Sequence, residues 1–527
     1  MRQSHFLGRS RQWCSVSVAF SLCACHAMAA QSRLITTQIP ATNAPPFGLS
    51  GIAVDAGSPL PPGSRIVSFD PSEPGAAPAV LTGGFAAAGR PNLSFDAKNI
   101  LFVGRRAADE PLNVWQMNTD GTSPRQLTKF AFDCTAAIYL STVYTIDADR
   151  PSRRIAFASR SAADQASSLY TCRTDGSGVR RITFSPSDVS DPLILGDGRL
   201  VFGLLRGGGE AAEAVRSPCG VALFTVHADG TDLFPFAAVH EPAALRGMPC
   251  ETEDGSIVYV ESHTSSRDAG GSLVAVARTR SLHTRRVIVN DDDGTYYSPS
   301  SWPGGKLLVS YKPRGGGSYG LYLLDPETGT RHSKLLDRPD WHEVFAVALA
   351  PRPEPAGRSS VVKAEGDIGQ IYCLDSSISD APNPARIARE RIKRVRVFQA
   401  RLGGRQNLDG LKPGGRDSTN APHVVTEGEL LGEVAVEADG SIFVEVPART
   451  PLRLETVDQA GQVLTAMRSW FWVMPGERRG CIGCHEDREL TPPNRHVLAL
   501  RKAPSKLGAF DRNDSPRSAP QGPYGDK

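Results

Sequence analysis

Short runs of alternating apolar and polar residues recur through the middle of the chain and end at tight turns. Three of them, LNVWQM, SSLYTC and VALFTV, lead into the dipeptides Asp120-Gly121, Asp175-Gly176 and Asp229-Gly230. These turns are 55 and 54 residues apart. Alternation with period two is the pattern of a half-buried strand, and Asp-Gly favours a β-hairpin because Gly adopts a positive φ at no steric cost. The pattern therefore predicts repeated hairpins.

Weaker copies of the repeat extend it on both sides. SRIVSFDPSEPG lies upstream, and GSLVAVARTRS, YGLYLLDPETG and GQIYCLDSS lie downstream. A unit of roughly 40–55 residues with about four short strands is one blade of a β-propeller. We count six blades between Arg33 and Ile387, or seven, depending on whether strands near 342–375 complete a blade begun near Leu34. The repeat resembles the TolB-like propellers of exported bacterial proteins.

The sequence pattern changes after the propeller. Strands such as IKRVRVFQA, LLGEVAVEADG and SIFVEVPA predict a small β-sandwich-like module, with a polar loop between Gly403 and Pro422. We therefore expect an all-β chain divided into residues 1–30, 31–390, 391–475, 476–502 and 503–527. In order, these are a signal peptide, the propeller, the β module, a short segment that carries the cysteine motif described below and a disordered tail poor in apolar residues.

The first thirty residues have the three parts of a secretory signal. Arg2, Arg9 and Arg11 form a basic region, an apolar stretch runs from Cys14 to Cys25, and AMA provides a small-x-small cleavage site. A buried N-terminal helix and a lipid anchor at Cys25 are the alternatives. No other segment has the apolar length of a membrane span. We expect an extracytoplasmic protein, periplasmic or secreted, without a transmembrane segment after the signal is removed.

Composition and charge exclude several classes of protein. The 51 Gly and 40 Pro would break long helices, which excludes a coiled coil. Apolar residues make up 40% of the chain, so it is not disordered as a whole. A net charge of only +3 makes nucleic acid a poor candidate partner.

Seven of the ten cysteines remain once the signal is removed. Five precede the C-terminal segment, namely Cys134, Cys172, Cys219, Cys250 and Cys373. Some of these can pair in an oxidising compartment, but their number is odd, and most fit the pattern of small buried hydrophobes in strands. The last two, Cys481 and Cys484, belong to a motif.

Cys481-Ile482-Gly483-Cys484-His485 is a CxxCH motif. Two thiols three positions apart reach the two vinyl groups of one haem, and the adjacent His supplies an axial nitrogen to the iron. Zinc would require a second Cys/His pair at finger spacing, which this chain does not have. A redox CxxC normally follows a strand of a βαβ unit, whereas this motif follows an all-β module. We predict one covalent haem c held by Cys481, Cys484 and His485.

The sixth iron ligand stays open between several candidates. His496 follows the turn-forming Thr491-Pro492-Pro493, and Met474 lies eleven residues before the motif's His. An open or weakly held site is the third option, and it would admit a small substrate. Both Met474 and Met467 also fit a packing role beside Trp470 and Trp472.

Four arginines flank the motif and are candidates for pairing with haem propionates or for plain surface charge. They are Arg478, Arg479, Arg488 and Arg495. His342-Glu343 is a weaker candidate elsewhere. It fits a metal pair, but an ion pair at a blade edge is favoured because no third ligand is visible.

A family resemblance rests on the run SWFWVMPGERRGCIGCHE, the trailing PPNR and the preceding TolB-like propeller. Together they resemble the family of the hydrazine synthase alpha subunit, from about Arg33 to Lys502. That family implies a propeller followed by a haem-bearing C-terminal region. In the synthase the alpha subunit carries two haems and works in a multisubunit complex that makes hydrazine from ammonia and nitrogen oxides.

This chain departs from that pattern in two ways. It has one CxxCH, and Glu489 occupies the position four residues after the motif's His, where the resemblance implies a tyrosine. Glu489 can ligate iron or hold a proton. We therefore expect an exported monohaem c-type cytochrome-like protein that transfers electrons to a redox partner or acts on a small nitrogenous substrate. The alternative is a propeller that binds a protein or glycan and carries an accessory haem.

Overall fold

The computed structural model describes most of the chain after the predicted signal. The described residues are 33–43, 60–73, 75–145, 150–160, 166–206, 220–238, 244–262, 270–363, 365–378, 387–406, 423–467, 469–483 and 496–507. They are almost entirely strands and turns. The only helices among them are two 3-10 turns, Arg389–Arg391 and Ala499–Arg501.

Consecutive antiparallel strands build the first three sheets, or blades. Blade 1 contains β1 (Leu34–Pro40), β2 (Arg65–Phe69) and β3 (Ala79–Val80). Blade 2 contains β4 (Ala87–Leu93), β5 (Asn99–Arg105), β6 (Asn113–Asn118) and β7 (Arg125–Gln126). Blade 3 contains β8 (Ala136–Tyr139), β10 (Arg154–Ser159), β11 (Ser168–Arg173) and β12 (Arg180–Arg181), with the short β9 (Val143–Tyr144) outside the sheet.

The next three blades repeat the same meander of four strands. Blade 4 contains β13 (Val189–Ile194), β14 (Arg199–Arg206), β15 (Gly220–His227) and β16 (Phe234–Ala237). Blade 5 contains β17 (Leu245–Glu251), β18 (Ser256–Ser262), β19 (Ser272–Ala277) and β20 (Arg286–Val289). Blade 6 contains β21 (Gly294–Trp302), β22 (Lys306–Pro313), β23 (Gly320–Leu324) and β24 (Arg331–Leu336).

The ring closes through a strand from its far end. β25 (Trp341–Ala348) pairs antiparallel with β1 and completes the first sheet. The first strands of successive blades contact one another from β1 through β4, β8, β13, β17 and β21 to β25. The part of the chain that the structure describes therefore forms a closed ring of six four-stranded sheets, as a β-propeller requires. Part of the expected closing region, near residue 342, does complete the blade that begins near Leu34.

The remaining strands form the C-terminal module. After β26 (Arg358–Ser359), which runs parallel to β9, they are β27 (Ile368–Cys373), β28 (Arg394–Gln406), β29 (His423–Ala435), β30 (Ile442–Pro447), β31 (Leu452–Val457), β32 (Val463–Ala466), β33 (Arg478–Cys481) and β34 (Ser505–Lys506). One sheet has the order β33-β27-β30-β34 and the other β29-β28-β31-β32. A single apolar cluster joins both sheets to blades 3 and 4, with members such as Ile371, Val397, Leu200 and Trp472.

The structure corrects the sequence interpretation at residues 368–373. The alternation of the run GQIYC matches a blade strand and predicts a place in the propeller. Instead β27 is central to the module, antiparallel to β30 and parallel to β33. Alternation fixes which side chains face a core but does not identify the partner strand, which here comes from more than seventy residues further along the chain.

Several further expectations concern residues that the structure does not describe. The predicted signal peptide, the acylation candidate Cys25, Cys219 and most of the predicted tail lie outside them. Within the described part, no helix is long and apolar enough to cross a membrane. Nor does a disulfide join any cysteines there.

Candidate functional site

The candidate site lies where β33 leads into the CxxCH motif. β33 runs parallel to β27, and its Cys481 is in register with Cys373. Past the strand the chain stays attached to the same neighbour, because the backbone N–H of Leu374 donates to Cys481 O at 2.9 Å and that of Asp375 donates to Ile482 O at 3.1 Å. The motif therefore starts on an ordered sheet. Cys484, His485 and Glu489 lie outside the described residues.

The aromatic segment before β33 joins the module to the propeller. Trp472 is 1% exposed, and its indole Nε1 donates to Gly230 O at 2.9 Å. Gly230 is at the tip of the third Asp-Gly hairpin, between β15 and β16. Phe184 packs edge-on against Trp472, with 6.3 Å between ring centroids. The hairpin that the sequence presents as one of three equivalent turns is therefore a docking point.

Met474 takes part in the same contact. It is buried in the apolar cluster, and its Sδ lies 3.0 Å from the position that a Cβ would take on Gly230. Ligation of iron by Met474, one of the sequence candidates, would require this packing to be given up. That role stays a prediction.

Glu477 is a buried carboxyl at the junction between the C-terminal module and blade 4. Its Oε1 accepts a hydrogen bond from the backbone N–H of Asp232 at 3.0 Å, and its Oε2 accepts one from Met474 N–H at 2.6 Å. Burial raises the pKa of Glu477 to about 7, against the opposing effect of these two donors. This side chain thus links the turn after the third hairpin to the segment that leads into the motif.

A polar cluster surrounds the side chain of Asp232. His227 Nε2 and Arg358 Nη2 lie 3.5 and 3.4 Å from Asp232 Oδ2. The hydrogen bond from His227 is the main cause that holds the pKa of Asp232 below its ordinary value. The cluster thus brings together blade 4, the linker strand β26 and, through Asp232 N–H, the module.

Arg479 lies next to this cluster and is 6% exposed. Its Nη2 donates to Leu233 O at 2.5 Å. Its guanidinium carbon is 4.5 Å from the ring centroid of Phe234 and 5.0 Å from that of Phe471. Among the described residues, its Nε and Nη1 have no hydrogen-bond acceptor.

Arg478 differs from its neighbour in burial and in its hydrogen-bond partner. Its side chain is exposed, its Nε donates to Gln370 Oε1 at 3.1 Å, and it lies over Phe443. Alternation along β33 explains the difference, because adjacent side chains of a strand face opposite sides of the sheet. Arg488 and Arg495 lie outside the described residues.

His496, the other candidate for the sixth ligand, is exposed. The segment after it is held against β30, where Leu498 N–H donates to Asp439 Oδ2 at 2.9 Å and Ala499 N–H donates to Ser441 Oγ at 3.0 Å. This anchoring keeps the end of the predicted haem segment on the module. Iron ligation by His496 stays a prediction.

The described cysteines test whether this end of the module suits a covalent haem. Cys134, Cys172, Cys250 and Cys373 are buried, and burial raises the pKa of the first three to about 12. Cys481 is only half-buried. A thiol must be accessible to bond to a vinyl group, and burial in apolar surroundings makes a thiol inert. Cys481 therefore fits the role that the motif requires.

His342 and Glu343 each accept a hydrogen bond from another segment of the propeller. His342 Nδ1 accepts a hydrogen bond from Tyr319 N–H at 3.1 Å, and the fully buried Glu343 accepts one from Gln38 Nε2 at 3.0 Å. Burial raises the pKa of Glu343 to about 7. No group of three His, Cys, Asp or Glu side chains within the described ranges has the arrangement of a metal site.

The sequence pattern points to the motif but not to the polar cluster on blade 4. In the sequence, the position of this cluster is marked by a departure from the repeat. The first two Asp-Gly turns return as RQLT and RRIT, whereas the third returns as Asp232-Leu233-Phe234-Pro235-Phe236. Exposed basic residues are replaced there by aromatic ones, which indicates a buried surface.

Comparisons with known proteins connect both parts of the molecule to one relative. Residues 390–486 match the family described as hydrazine synthase alpha subunit middle domain. Hydrazine synthase subunit alpha of Kuenenia stuttgartiensis is 25% identical over 519 residues, which cover 81% of this chain and 63% of that protein. The chain thus spans less than two thirds of this relative's length.

Solved structures show the same relationship at the level of the fold. The structure of Kuenenia stuttgartiensis hydrazine synthase has a TM-score of 0.75 at 23% identity, covering 90% of this chain and 72% of that chain. TolB from Acinetobacter baumannii has a TM-score of 0.41 at 13% identity, covering 60% of this chain and 67% of that chain. The resemblance to the hydrazine synthase alpha subunit that the sequence predicts is confirmed.

Proposed function

We propose that this chain is an exported monohaem c-type cytochrome-like protein related to the hydrazine synthase alpha subunit. In this proposal residues 1–30 direct export, and residues 476–502 carry one haem bonded to Cys481 and Cys484, with His485 as an iron ligand. It transfers electrons within a multisubunit complex or acts on a small nitrogenous substrate. The observation that carries the proposal is the half-buried Cys481 on an ordered strand at the start of a CxxCH motif.

The haem would supply one-electron chemistry when bound, and residues of this chain would form the environment around it. Trp472 and Phe471 are 1% and 3% exposed and exclude water from the segment before the motif. A dry, apolar shell lowers the local dielectric and so shifts the potential of a redox group. The segment is also attached to blade 4 through Trp472, so that the propeller helps to determine where the motif lies.

The two departures from the relative's pattern limit the reaction that we propose. One CxxCH supports one haem, and Glu489 offers a carboxylate where the resemblance implies a phenolate. Glu489 is our candidate for iron ligation or proton transfer at this site. Hydrazine synthesis by the chain alone is not part of the proposal.

The test is expression of the full chain with a cytochrome c maturation system, followed by intact-mass measurement and optical spectra in both oxidation states. We expect the added mass of one haem and a c-type spectrum. Replacing both Cys481 and Cys484 by Ala should abolish covalent attachment. Cys373→Ala is the matched control, because Cys373 lies beside Cys481 in register and should not affect attachment.

Spectra with small ligands then separate an enzyme from a binding scaffold. An iron with an open or displaceable sixth position should change its spectrum with nitric oxide, hydroxylamine or cyanide. A closed site would leave the spectrum unchanged and favour electron transfer or the scaffold role. A chain that matures without any covalent haem would contradict the proposal in all its forms.

A further inference from the structure

Arg479 carries a buried charge that the described polypeptide does not neutralise by hydrogen bonding. The guanidinium has five N–H groups, and its buried Nε and Nη1 have no acceptor among the described residues. Burying an ionised group without a partner strongly destabilises a fold. Since native structures seldom leave such a group unsatisfied, an acceptor from elsewhere is indicated.

Comparison with other arginines shows that Arg479 is a special case. Arg105, Arg338 and Arg358 also have a buried Nε without an acceptor in the described part of the chain, but in each of them only that one nitrogen is affected. Arg479 lacks acceptors at two of its three nitrogens, which together carry three of its five N–H groups. A deficit of this size on a permanent cation is best relieved by an anion.

The nearest carboxyls are already engaged in other contacts. Both oxygens of Glu477 accept backbone N–H groups, and Asp232 Oδ2 faces His227 and Arg358. Arg479 influences the pKa of Glu477 and of Asp232, so it is near both, yet its Nε and Nη1 donate to neither. The chain holds this guanidinium in place through Leu233 O and two aromatic rings, and two of its buried nitrogens have no acceptor among the described residues.

The position of Arg479 on β33 indicates where the acceptor comes from. Residues two apart on a strand face the same side of the sheet, at a separation of roughly 7 Å. Arg479 and Cys481 are such a pair, whereas Arg478 faces the other side. Arg479 is therefore on the side of the sheet from which the thiol of the motif projects.

We propose that Arg479 binds a propionate of the haem carried by Cys481 and Cys484, donating to the carboxylate from the nitrogens that lack an acceptor. This inference rests on the proposed function, since it requires that haem. Because Leu233 O holds Nη2 of the same guanidinium, the blade 4 hairpin becomes part of the haem site. The propeller then fixes the orientation of the cofactor.

The experiment compares Arg479→Met in the haem-loaded full chain and in a haem-free full chain made with the Cys481→Ala and Cys484→Ala substitutions. Without haem, the substitution replaces a buried guanidinium whose Nε and Nη1 have no acceptor by an apolar side chain of similar length, so the Tm should rise or stay unchanged. With haem, it leaves a propionate without its partner, so the Tm should fall by about 2–6 °C. Arg478→Met is the matched control and should give the same small shift in both forms.

The midpoint potential gives a second readout in the loaded protein. Loss of a positive charge beside the haem favours the ferric state, so Arg479→Met should lower the potential while Arg478→Met leaves it unchanged. If Arg479→Met does not fold, Arg479→Gln, which is polar and neutral, is measured in its place.

The two kinds of failure are distinguishable. Absence of haem mass in the matured wild-type chain would overturn the proposed function together with this inference. A correct haem mass, with shifts of the same sign in the loaded and haem-free forms and an unchanged potential, would overturn the inference alone.

Discussion

Three hairpins with the same turn chemistry lie in blades 2, 3 and 4, and only the third supports another domain. In each, the Asp carboxylate accepts a hydrogen bond from the backbone N–H two residues on, at 2.9, 2.8 and 3.1 Å. In each, the Gly has a φ between 87° and 91°. Asp120 and Asp175 are exposed, whereas Gly230 and Thr231 are buried under the C-terminal module. The turn geometry is thus set locally, and the strand that follows the turn determines whether the hairpin contacts another domain.

The return strands differ in their side chains. The first two hairpins return through the short basic strands β7 and β12, which remain at the surface. The third returns through Leu233 and Phe234 and offers a backbone carbonyl and an aromatic ring to Arg479. A repeat protein can therefore acquire an interface by changing a few residues of one blade and keeping its hairpin geometry.

The largest loss of stability is expected from a substitution of Trp472, the residue that contacts the third hairpin and has no counterpart among the described residues at the first two. Trp472→Ala removes a buried indole and its hydrogen bond to Gly230 O, and we expect a loss of about 3–5 kcal/mol in the free energy of unfolding of the module. Trp472→Phe keeps the ring buried and loses the hydrogen bond, which should cost about 1 kcal/mol. Urea unfolding followed by tryptophan fluorescence and far-UV circular dichroism measures both.

The propeller should keep its own transition in these variants, because its ring closes without the module. A loss for Trp472→Ala no larger than that for Trp472→Phe would show that the hairpin contact adds little to docking.

The pH dependence of stability distinguishes the junction from the ring closure. Burial raises the pKa of Glu477 and of Glu343 to about 7, above their ordinary value of 4.5. The folded state therefore binds these protons more tightly than the unfolded state does. The stability that they contribute is fully present below about pH 4.5 and is lost as the pH rises through about 7, by roughly 1–3 kcal/mol for each group.

Glu343→Gln and Glu477→Gln should each remove one share of this pH dependence, as measured by urea unfolding between about pH 5 and pH 8. Only Glu477→Gln should also lower stability at every pH, because its two oxygens both accept backbone N–H groups and an amide replaces one acceptor by a donor. Unfolding that is independent of pH in the wild-type protein would contradict the assignment.

The smallest effect is expected from an added methyl group at the hairpin tips. Gly121→Ala and Gly230→Ala both place Ala at a φ of 87°, with a similar strain. At Gly230 the new Cβ would lie 2.8 Å from Ile182 O and 3.0 Å from Met474 Sδ of the module, whereas at Gly121 its nearest contact is Leu81 O at 3.1 Å. Gly230→Ala should therefore cost about 1 kcal/mol more than Gly121→Ala by thermal unfolding. Equal losses would show that the closer contacts at Gly230, with Ile182 O and Met474 Sδ, relax at no cost in stability.

Much of the propeller is predictable from the sequence because its signals are local. The Asp-Gly turns and the alternating runs before them specify hairpins, and their spacing specifies a blade. The assignment of Ile368–Cys373 was wrong because the choice of partner strand depends on distant segments. The closing strand Trp341–Ala348 lies in the expected region, but its pairing with Leu34–Pro40 required the structure to decide between alternatives.

The candidate site also contains residues that local sequence predicts and residues whose environment depends on distant segments. The spacing within five consecutive residues is enough to predict a role for Cys481, Cys484 and His485, and that role stays a prediction. The burial of Glu477 and Arg479 is not predictable in this way, because a run such as PGERRG has the composition of a solvated turn. Their environment comes from blade 4, some 245 residues earlier in the chain.

The closure of the ring has a consequence for the order of folding. Thr36 Oγ1 donates to Val344 O across 308 positions, whereas a comparable bond within blade 3, from Leu169 N–H to Thr183 Oγ1, spans 14. Loop-closure entropy makes the longer connection about 3 kcal/mol more costly to form. The seam between β1 and β25, which lies within blade 1, should therefore form after the other five blades and be the first part of the ring to yield under a pulling force. Its amides would then exchange with solvent faster than those of the other five blades.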